Sequence, residues 1–243
     1  MRIESLLKRG TSHPNFCEDA MFQTSISDKW YVGAVLDGCS SAKDSYFASA
    51  LFVKLIAKAC KTIPYISKIQ PEFTIESFTP KTLGEFILNQ TFEGLKKEHN
   101  HLLLDDIELL STLLLAVVHR TERSAWVNVS GDGFLAINNE LIEIDQKNVP
   151  DYMAYHLELS FDDWFQSHTQ SYEIDNFERL HITTDGILKF IDEQGSVKKS
   201  RNTAHNLLSI RTNAEQSLDH AYKSITEEQG LVPYDDIAVI RFE

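Results

Sequence analysis

The sequence predicts an α+β fold in which antiparallel sheets at the centre are covered by helices. The middle of the 243-residue chain is rich in short apolar runs, and helical patterns fall in two blocks on either side of it. Residues 138–140, Asn-Asn-Glu, separate two of these runs like a hairpin turn, which favours antiparallel pairing. No repeat and no linker rich in Gly, Ser or Pro divides the chain, so one domain over residues 1–243 is predicted.

Eight apolar runs predict strands, because several are β-branched or aromatic and end in Gly or Asp. They cover residues 21–24, 30–36, 112–118, 125–129, 134–137, 141–144, 180–184 and 237–242. The tightest run, residues 113–118, has the length of a buried strand and falls well short of the roughly 18 residues that span a membrane.

The first helical block precedes the strand-rich middle of the chain. Apolar residues at helical spacing predict a helix over residues 44–60. Thr82 and Glu85 have the spacing of a capping box, in which each side chain accepts a hydrogen bond from the other residue's backbone N–H. A second helix is therefore predicted to open there.

The second helical block follows the strands. A short helix is predicted over residues 203–210. Another capping box, Thr212 with Glu215, predicts the start of the last helix, and Gly230 predicts its end. Residues 149–177 are acidic, aromatic and irregular, and their pattern predicts no element.

Charge and cysteine content exclude several classes of protein. The chain has 36 acidic and 23 basic residues, for a formal net charge of −13. The basic residues cluster no further than short pairs, so a nucleic-acid-binding surface is not expected. Cys17, Cys39 and Cys60 are odd in number and lack CxxC spacing, which argues against a disulfide framework and a zinc knuckle.

The first residues do not have the pattern of a targeting segment. Glu4 and Lys8 interrupt the apolar stretch that a signal peptide would need. No apolar run approaches the length of a membrane span. We therefore expect a cytoplasmic protein without membrane partners, and we expect it to be a monomer.

The most informative feature is a set of acidic residues at the ends of predicted strands. They are Glu18, Asp19, Asp37, Asp132, Asp185, Asp235 and Asp236. Asp is depleted inside strands, and Asp-Gly is ordinarily a turn pair, so a turn is the simpler interpretation of any one of these sites. The whole set is harder to explain by turns alone.

Carboxylates that meet on one rim of a sheet would repel one another unless a cation neutralised them. A site made only of oxygen ligands suits a hard ion such as Mg²⁺ or Mn²⁺ rather than Zn²⁺. The glycines that follow Asp37, Asp132 and Asp185 would let the backbone approach closely and free carbonyl oxygens for coordination. The residues by themselves predict a divalent-metal site and no particular reaction.

The order and spacing of five short motifs carry more information. The motifs lie at residues 18–20 (Glu-Asp-Ala), 35–38 (Val-Leu-Asp-Gly), 130–133 (Ser-Gly-Asp-Gly), 184–186 (Thr-Asp-Gly) and 235–239 (Asp-Asp-Ile-Ala-Val). Together they resemble the metal-dependent serine/threonine protein phosphatases of the 2C type. The resemblance extends from about Gly10 to Phe242, and the stretches around Pro14 and Cys39 are similar to the divergent bacterial branch.

The resemblance implies a fold, an activity and partners. The family fold is a four-layer α-β-β-α sandwich with two antiparallel sheets at the centre, helices on both outer faces and the site in a cleft at one end. The implied activity is hydrolysis of phosphoserine and phosphothreonine by a water that bridges and is activated by two Mn²⁺ or Mg²⁺ ions, with a weaker third ion. The implied partners are a phosphoprotein substrate and a cognate kinase.

By motif position, four residues would form the dinuclear site. Asp37 would bridge both ions, and the Gly38 carbonyl oxygen would bind one of them. Asp185 and Asp235 would complete the ligands of the other ion. Asp37 and Asp185 would thereby act in catalysis through the activated water.

Four further acidic residues have less uniform roles in the resemblance. Glu18 or Asp19 would ligate an ion directly or hold its water. Asp132 matches a ligand of the weaker third ion. Asp236 stands where the family usually has Asn, so it departs from the pattern and adds a negative charge.

Two other departures concern the substrate. Many family members have a His after the Asp-Gly pair that can protonate the leaving group, but Cys39 stands there. Many also have an Arg that grips the phosphate at the position of Pro14. His13 or Arg9 could contact the phosphate in its place, and we take His13 as the candidate.

Two alternatives remain open at this stage. A non-catalytic, metal-binding module of the same fold would explain the missing His and Arg, although a scaffold need not keep mutually repelling carboxylates. A metal-dependent nuclease would need a basic surface that the sequence does not show.

Overall fold

The computed structural model describes residues 1–69, 74–147, 149–208 and 217–243. Within this part of the chain the strands are β1 (Ile3–Lys8), β2 (Asp19–Ser25), β3 (Trp30–Asp37), β4 (Leu113–His119), β5 (Ser124–Ser130), β6 (Gly133–Ile137), β7 (Glu140–Ile144), β8 (Gln170–Ile174), β9 (Leu180–Thr183), β10 (Lys189–Ile191), β11 (Val197–Lys199), β12 (Val232–Pro233) and β13 (Ile237–Phe242). The helices are α1 (Ser45–Ile69), α2 (Pro80–Leu102), α3 (Phe161–His168), α4 (Arg201–Leu208) and α5 (Leu218–Lys223).

Two five-stranded sheets form the centre of the molecule. Their strand orders are β1-β13-β9-β6-β7 and β2-β3-β4-β5-β8. Every hydrogen-bonded pair in them is antiparallel. Strands β11, β10 and β12 form a small third sheet.

Three hydrophobic cores separate four layers. The first core lies between the two large sheets and contains Val35 and Ile240. The second packs α1 and α2 against the outer face of the β2–β8 sheet, with Phe52 and Leu36 both fully buried there. The third packs α4 and α5 against the other sheet, around Leu207. The predicted α+β class and the α-β-β-α sandwich are confirmed.

The alternation along β3 shows how the sequence builds these layers. Successive strand side chains point to opposite faces, so Leu36 faces the helices while Val35 faces the second sheet. Both faces are covered, and this explains why β3 and β4 are almost wholly apolar.

All eight predicted strands are present, with ends shifted by at most two residues. The prediction missed β1, β8 and the three short strands β10, β11 and β12. Strands β1 and β8 lie at sheet edges, where one side is open and polar residues are tolerated, so their apolar pattern is weak.

The first helical block is longer than predicted. Helix α1 continues past residue 60 to Ile69, with Pro64 inside it, because Ile63 is still buried in the helix–sheet core. Helix α2 starts one turn earlier than predicted. The Thr79 side chain accepts from the Thr82 backbone N–H while the Thr82 hydroxyl accepts from the Thr79 N–H, so the predicted Thr82–Glu85 capping box is wrong.

The second helical block is confirmed in part. Helix α4 matches the prediction of a short helix over residues 203–210. The last two residues of that range, and the predicted capping box of Thr212 and Glu215, lie outside the described residues. Ser217 caps α5, and Gly230 adopts a positive φ of 64° after the last helical turn. Residues 149–177, for which no element was predicted, contain α3 and β8.

No described helix has both the length and the apolar character that a membrane span requires.

Candidate active site

Strands β2 and β3 place two carboxylates side by side. Asp19 is the first residue of β2 and Asp37 the last of β3, and the antiparallel register pairs them directly. Paired residues of neighbouring strands point to the same face, so the two side chains share one end of the sheet. Asp19 is only 4% exposed.

Burial and mutual repulsion dominate the electrostatics of this pair. Burial, and next the charge of Asp37, raises the pKa of Asp19 well above its usual value, and a hydrogen bond donated by the Thr184 hydroxyl at 2.6 Å offsets part of this effect. The pKa of Asp37 is also raised, first by burial and then by Asp185 and Asp235. The positive charge near Asp19 and Asp37 is therefore too small to offset the repulsion among the carboxylates.

Two other carboxylates converge on a lysine. The ammonium nitrogen of Lys189, the first residue of β10, lies 2.9 Å from Asp185 Oδ2 and 2.6 Å from Asp235 Oδ2. Burial alone would lower the pKa of Lys189, but the two carboxylates raise it above its ordinary value. Lys189 is thus a cation placed among the carboxylates that were predicted to be metal ligands.

Two glycines allow the close contacts that the site requires. A Cβ at Gly186 would lie 1.8 Å from the carbonyl oxygen of Asp236, and a Cβ at Gly38 would lie 2.2 Å from that of Ser45. No other residue fits at either position without moving the backbone. Glycine at these two positions therefore allows close backbone packing, while the predicted coordination by a freed carbonyl oxygen stays a prediction.

Asp132 lies in the turn between β5 and β6. Its Oδ1 accepts a hydrogen bond from the Gln146 backbone N–H at 2.7 Å. Burial, with the charges of Asp145 and Asp185, raises its pKa despite this bond. Asp132 and Asp185 line one small cavity, so the structure brings Asp132 to the edge of the cluster.

Asp236 holds the loop that precedes β2. It is 2% exposed, and its carboxylate accepts backbone hydrogen bonds from Gly10 at 2.7 Å and from Glu18 at 2.5 Å. His13 Nδ1 lies 2.9 Å from Asp236 Oδ2. The negative charge at this unusual position is therefore used to fix the loop that carries Glu18 and His13.

A cleft of about 630 Å³ opens in front of the acidic residues. It is lined by residues 12–16, Glu18, Asp235 and Tyr234, and, from the start of α1 and the loop before it, by Ser40, Ala42 and residues 44–46. The rings of Phe16 and Tyr46 stack at its mouth with centroids 4.4 Å apart. His13 Nε2 lies 3.2 Å from the Ser40 hydroxyl. His13 thus lines the space that a substrate would enter.

The donor set fits a hard divalent cation. Asp19 Oδ1 and Glu18 Oε2 are buried and accept no hydrogen bond among the described residues, although His13 Nε2 lies 3.4 Å from Glu18 Oε2. Buried carboxylate oxygens without partners are costly, and a cation that binds oxygen ligands would satisfy them. The structure brings Glu18, Asp19, Asp37, Asp185 and Asp235 to one end of the sandwich, while their roles as ligands, and that of the Gly38 carbonyl, stay predictions.

Sequence reasoning missed Lys189 and Thr184. Lys189 is four residues after Asp185, and only the packing of β10 brings it to Asp235 as well. Thr184 was noticed as a motif residue, but its hydrogen bond to Asp19 joins residues 165 positions apart. For Lys189, the one available signal was a residue of opposite charge four positions after Asp185.

Comparison with known proteins identifies a family for this chain. The family model described as Protein phosphatase 2C matches residues 9–221. No curated protein matches the sequence significantly.

Solved bacterial structures share the fold at low sequence identity. A variant of a bacterial serine phosphatase has a TM-score of 0.64 and 14% identity, with 99% of this chain and 97% of that chain covered. The phosphatase domain of SpoIIE from Bacillus subtilis, with a fragment of its regulatory domain, has a TM-score of 0.58 and 15% identity. The match covers 99% of this chain and 61% of that chain. RsbX in complex with magnesium has a TM-score of 0.52 and 16% identity, with 98% and 92% covered. The chain belongs to the protein phosphatase 2C family.

Proposed function

We propose that the chain is a Mn²⁺- or Mg²⁺-dependent phosphatase that removes phosphate from phosphoserine and phosphothreonine in proteins. The observation that carries this proposal is the convergence of Asp19, Asp37, Asp185 and Asp235 beside an open cleft that Glu18 and Asp235 line. Membership of the family supports it, and the magnesium in the related RsbX structure supports Mg²⁺ as one candidate ion.

The charge of the cleft makes a metal necessary for this reaction. Among the described residues that line it there is no Lys or Arg, whereas Glu18, Asp44 and Asp235 are acidic. A phosphate monoester carries negative charge and would be repelled by such a surface. Lys189 alone supplies one positive charge against at least four carboxylates.

Each residue of the site has a distinct task in the proposal. Asp37, Asp185 and Asp235, with Asp19 or Glu18, would hold two divalent ions, and Asp132 a weaker third. When bound, such ions supply an activated water nucleophile and offset the charge on the phosphoryl oxygens. Thr184 fixes the orientation of Asp19 through its 2.6 Å hydrogen bond.

Substrate contact is assigned to the cleft wall. His13 and Ser40, linked at 3.2 Å, present polar groups that could donate hydrogen bonds to the phosphate. The exposed rings of Phe16 and Tyr46 offer an apolar platform for residues beside the phosphorylated one. In the same proposal the chain acts as a cytoplasmic, monomeric single domain, on substrates that a protein kinase has phosphorylated.

The test is phosphate release from matched phosphoserine, phosphothreonine and phosphotyrosine peptides. Each is assayed with Mn²⁺, with Mg²⁺ and with a chelator. Release from the first two peptides that requires either ion is expected. Equal release in the chelator, or no release with any ion from protein that is folded by circular dichroism, would refute the proposal.

A further inference from the structure

We propose that Asp151, His156 and His168 form a second metal site, for a divalent ion that prefers imidazole ligands, of the Zn²⁺ class. The three residues come from separate pieces of the segment between β7 and β8. Asp151 lies in the loop after β7, His156 ends the one-turn helix Met153–His156, and His168 is the last residue of α3. The fold alone brings them together.

The side chains converge on one point. His156 Nε2 lies 2.5 Å from Asp151 Oδ1, and His168 Nδ1 lies 2.7 Å from Asp151 Oδ2. The two imidazole rings stack with centroids 3.6 Å apart. One donor atom from each residue lies within 4.8 Å of the other two, which is the spread that one ion can bridge.

The chemistry of the cluster differs from that of the cleft. Two imidazoles and one carboxylate are a ligand set for Zn²⁺ and its neighbours, and three protein ligands leave a fourth position for water. Burial acts to raise the pKa of Asp151, but hydrogen bonds from both imidazoles hold it below the usual value, so the carboxylate is an anion at neutral pH. His168 also lies at the C-terminus of α3, where the helix dipole favours positive charge.

The cluster is accessible to an ion from solvent. The side chains of His156, His168 and Asp151 are 16%, 27% and 36% exposed. A site at this depth can exchange its ion, and the ligands are held by packing beneath them. Trp164 of α3 is fully buried and stacks on Phe92 of α2 at 5.1 Å, so the helix that carries His168 has a fixed position.

A bound ion would fix the segment that borders the acidic cleft. The Asp151 N–H donates to Gln146 Oε1, and the Gln146 N–H donates to Asp132 Oδ1. Tyr152, the next residue, is 7% exposed and belongs to the core between the helices and the β2–β8 sheet. The second metal therefore has a structural and positioning role beside the predicted site of phosphate hydrolysis.

The probe is Co²⁺, because four-coordinate Co²⁺, as expected with three protein ligands and one water, absorbs visible light much more strongly than six-coordinate Co²⁺. Metal-free wild-type protein is titrated with Co²⁺ alongside His156→Gln, His168→Gln and Asp151→Asn. We expect strong bands in the wild type, displaced by Zn²⁺, and a loss of Co²⁺ affinity of more than about tenfold in each variant.

Two controls separate this site from the cleft. His101→Gln changes an exposed histidine near the end of α2, and Asp37→Asn changes the acidic cluster. Both should keep the strong bands. Weak bands in the wild type, or strong bands that survive both histidine substitutions, would overturn the proposal.

Thermal unfolding gives a second readout that does not depend on colour. Zn²⁺ should raise the Tm of wild-type and Asp37→Asn protein and leave that of His168→Gln unchanged. An increase of equal size in His168→Gln would contradict the proposal. Circular dichroism of the metal-free variants establishes that they are folded, and if His168→Gln fails to fold, the isosteric Asp151→Asn takes its place in the Tm comparison.

Discussion

The acidic cluster around Lys189 and the histidine cluster around Asp151 balance charge in different ways. In the first, four carboxylates face one ammonium group, and burial raises the pKa of Asp19 and Asp37. In the second, one carboxylate is shared by two imidazoles and its pKa is lowered. Oxygen donors under repulsion favour a hard ion, whereas imidazoles around one carboxylate favour a borderline ion such as Zn²⁺.

The comparison also concerns position in the fold. The acidic residues lie at strand ends, where the rigid sheets set their spacing. The histidine cluster lies in the segment between β7 and β8, which contains one-turn and short helices. A site on sheet ends is expected to be the more precisely held of the two, as catalysis requires.

Among the substitutions that compare the two clusters, the largest effect should come from Asp185→Asn. It removes one of the charges that would hold an ion and leaves the side-chain shape unchanged. We expect phosphate release in Mn²⁺ to fall by at least about a hundredfold, while the Co²⁺ bands of the histidine cluster persist. Loss of both properties together would mean that the two clusters act as one unit.

Asp236 should affect folding more than any step of the reaction. Asp236→Ala leaves the buried N–H groups of Gly10 and Glu18 without their acceptor, at a cost of about 2–4 kcal/mol in the free energy of unfolding. Asp236→Asn keeps one oxygen and should cost about half as much. Urea unfolding measures both, and equal stability of all three proteins would contradict the anchoring role.

Lys189→Met should strengthen metal binding at the acidic cluster, because it removes the ammonium group that contacts Asp185 and Asp235. The ammonium and a divalent ion would compete for Asp185 and Asp235, so its removal should tighten Mn²⁺ binding about tenfold, or ~1.4 kcal/mol. Calorimetric titration measures the change. Lys29→Met, at an exposed hairpin residue, is the matched control and should change nothing. Weaker Mn²⁺ binding in Lys189→Met would show that the lysine supports the ion.

The smallest effect is a pH dependence in metal-free protein. Because the pKa of Asp37 is raised in the folded state, the folded protein holds this proton more tightly than the unfolded chain, and stability falls as pH rises from the ordinary value of 3.8 through the raised value. Asp37→Asn should therefore be more stable than the metal-free wild type at pH 7. The advantage should shrink as pH is lowered toward 4 and should be measured by urea unfolding in chelator.

Much of the fold was predictable because it depends on local pattern. The runs that became β3 and β4 are buried on both faces, so their apolar character is unmistakable. Edge strands such as β8 bury one face at most, and α3 lies in an acidic segment, so neither has a strong pattern. Thr79 was not recognised as the cap of α2 because Thr82 and Glu85 offered the same spacing one turn later.

Only those residues of the candidate site that belong to short sequence motifs were predictable. Asp37 and Asp185 follow strands directly, and their order along the chain indicated the family. The contacts of Lys189 with Asp235 and of Asp236 with Gly10 join distant parts of the chain, and no spacing rule predicts them. The pair His156 and His168, twelve residues apart, has no recognised metal-site spacing and required the fold.

The most direct test of the account compares Asp37→Asn with Asp28→Asn. Asp37 ends β3 in the acidic cluster, whereas Asp28 is exposed in the hairpin at the opposite end of the same strand pair. Initial rates of phosphate release from a phosphothreonine peptide are measured against Mn²⁺ concentration for both variants and the wild type. The account predicts that Asp28→Asn follows the wild-type curve and that folded Asp37→Asn shows no Mn²⁺-dependent release. A wild-type curve for Asp37→Asn would contradict the claim that the acidic cluster is the metal-dependent catalytic centre.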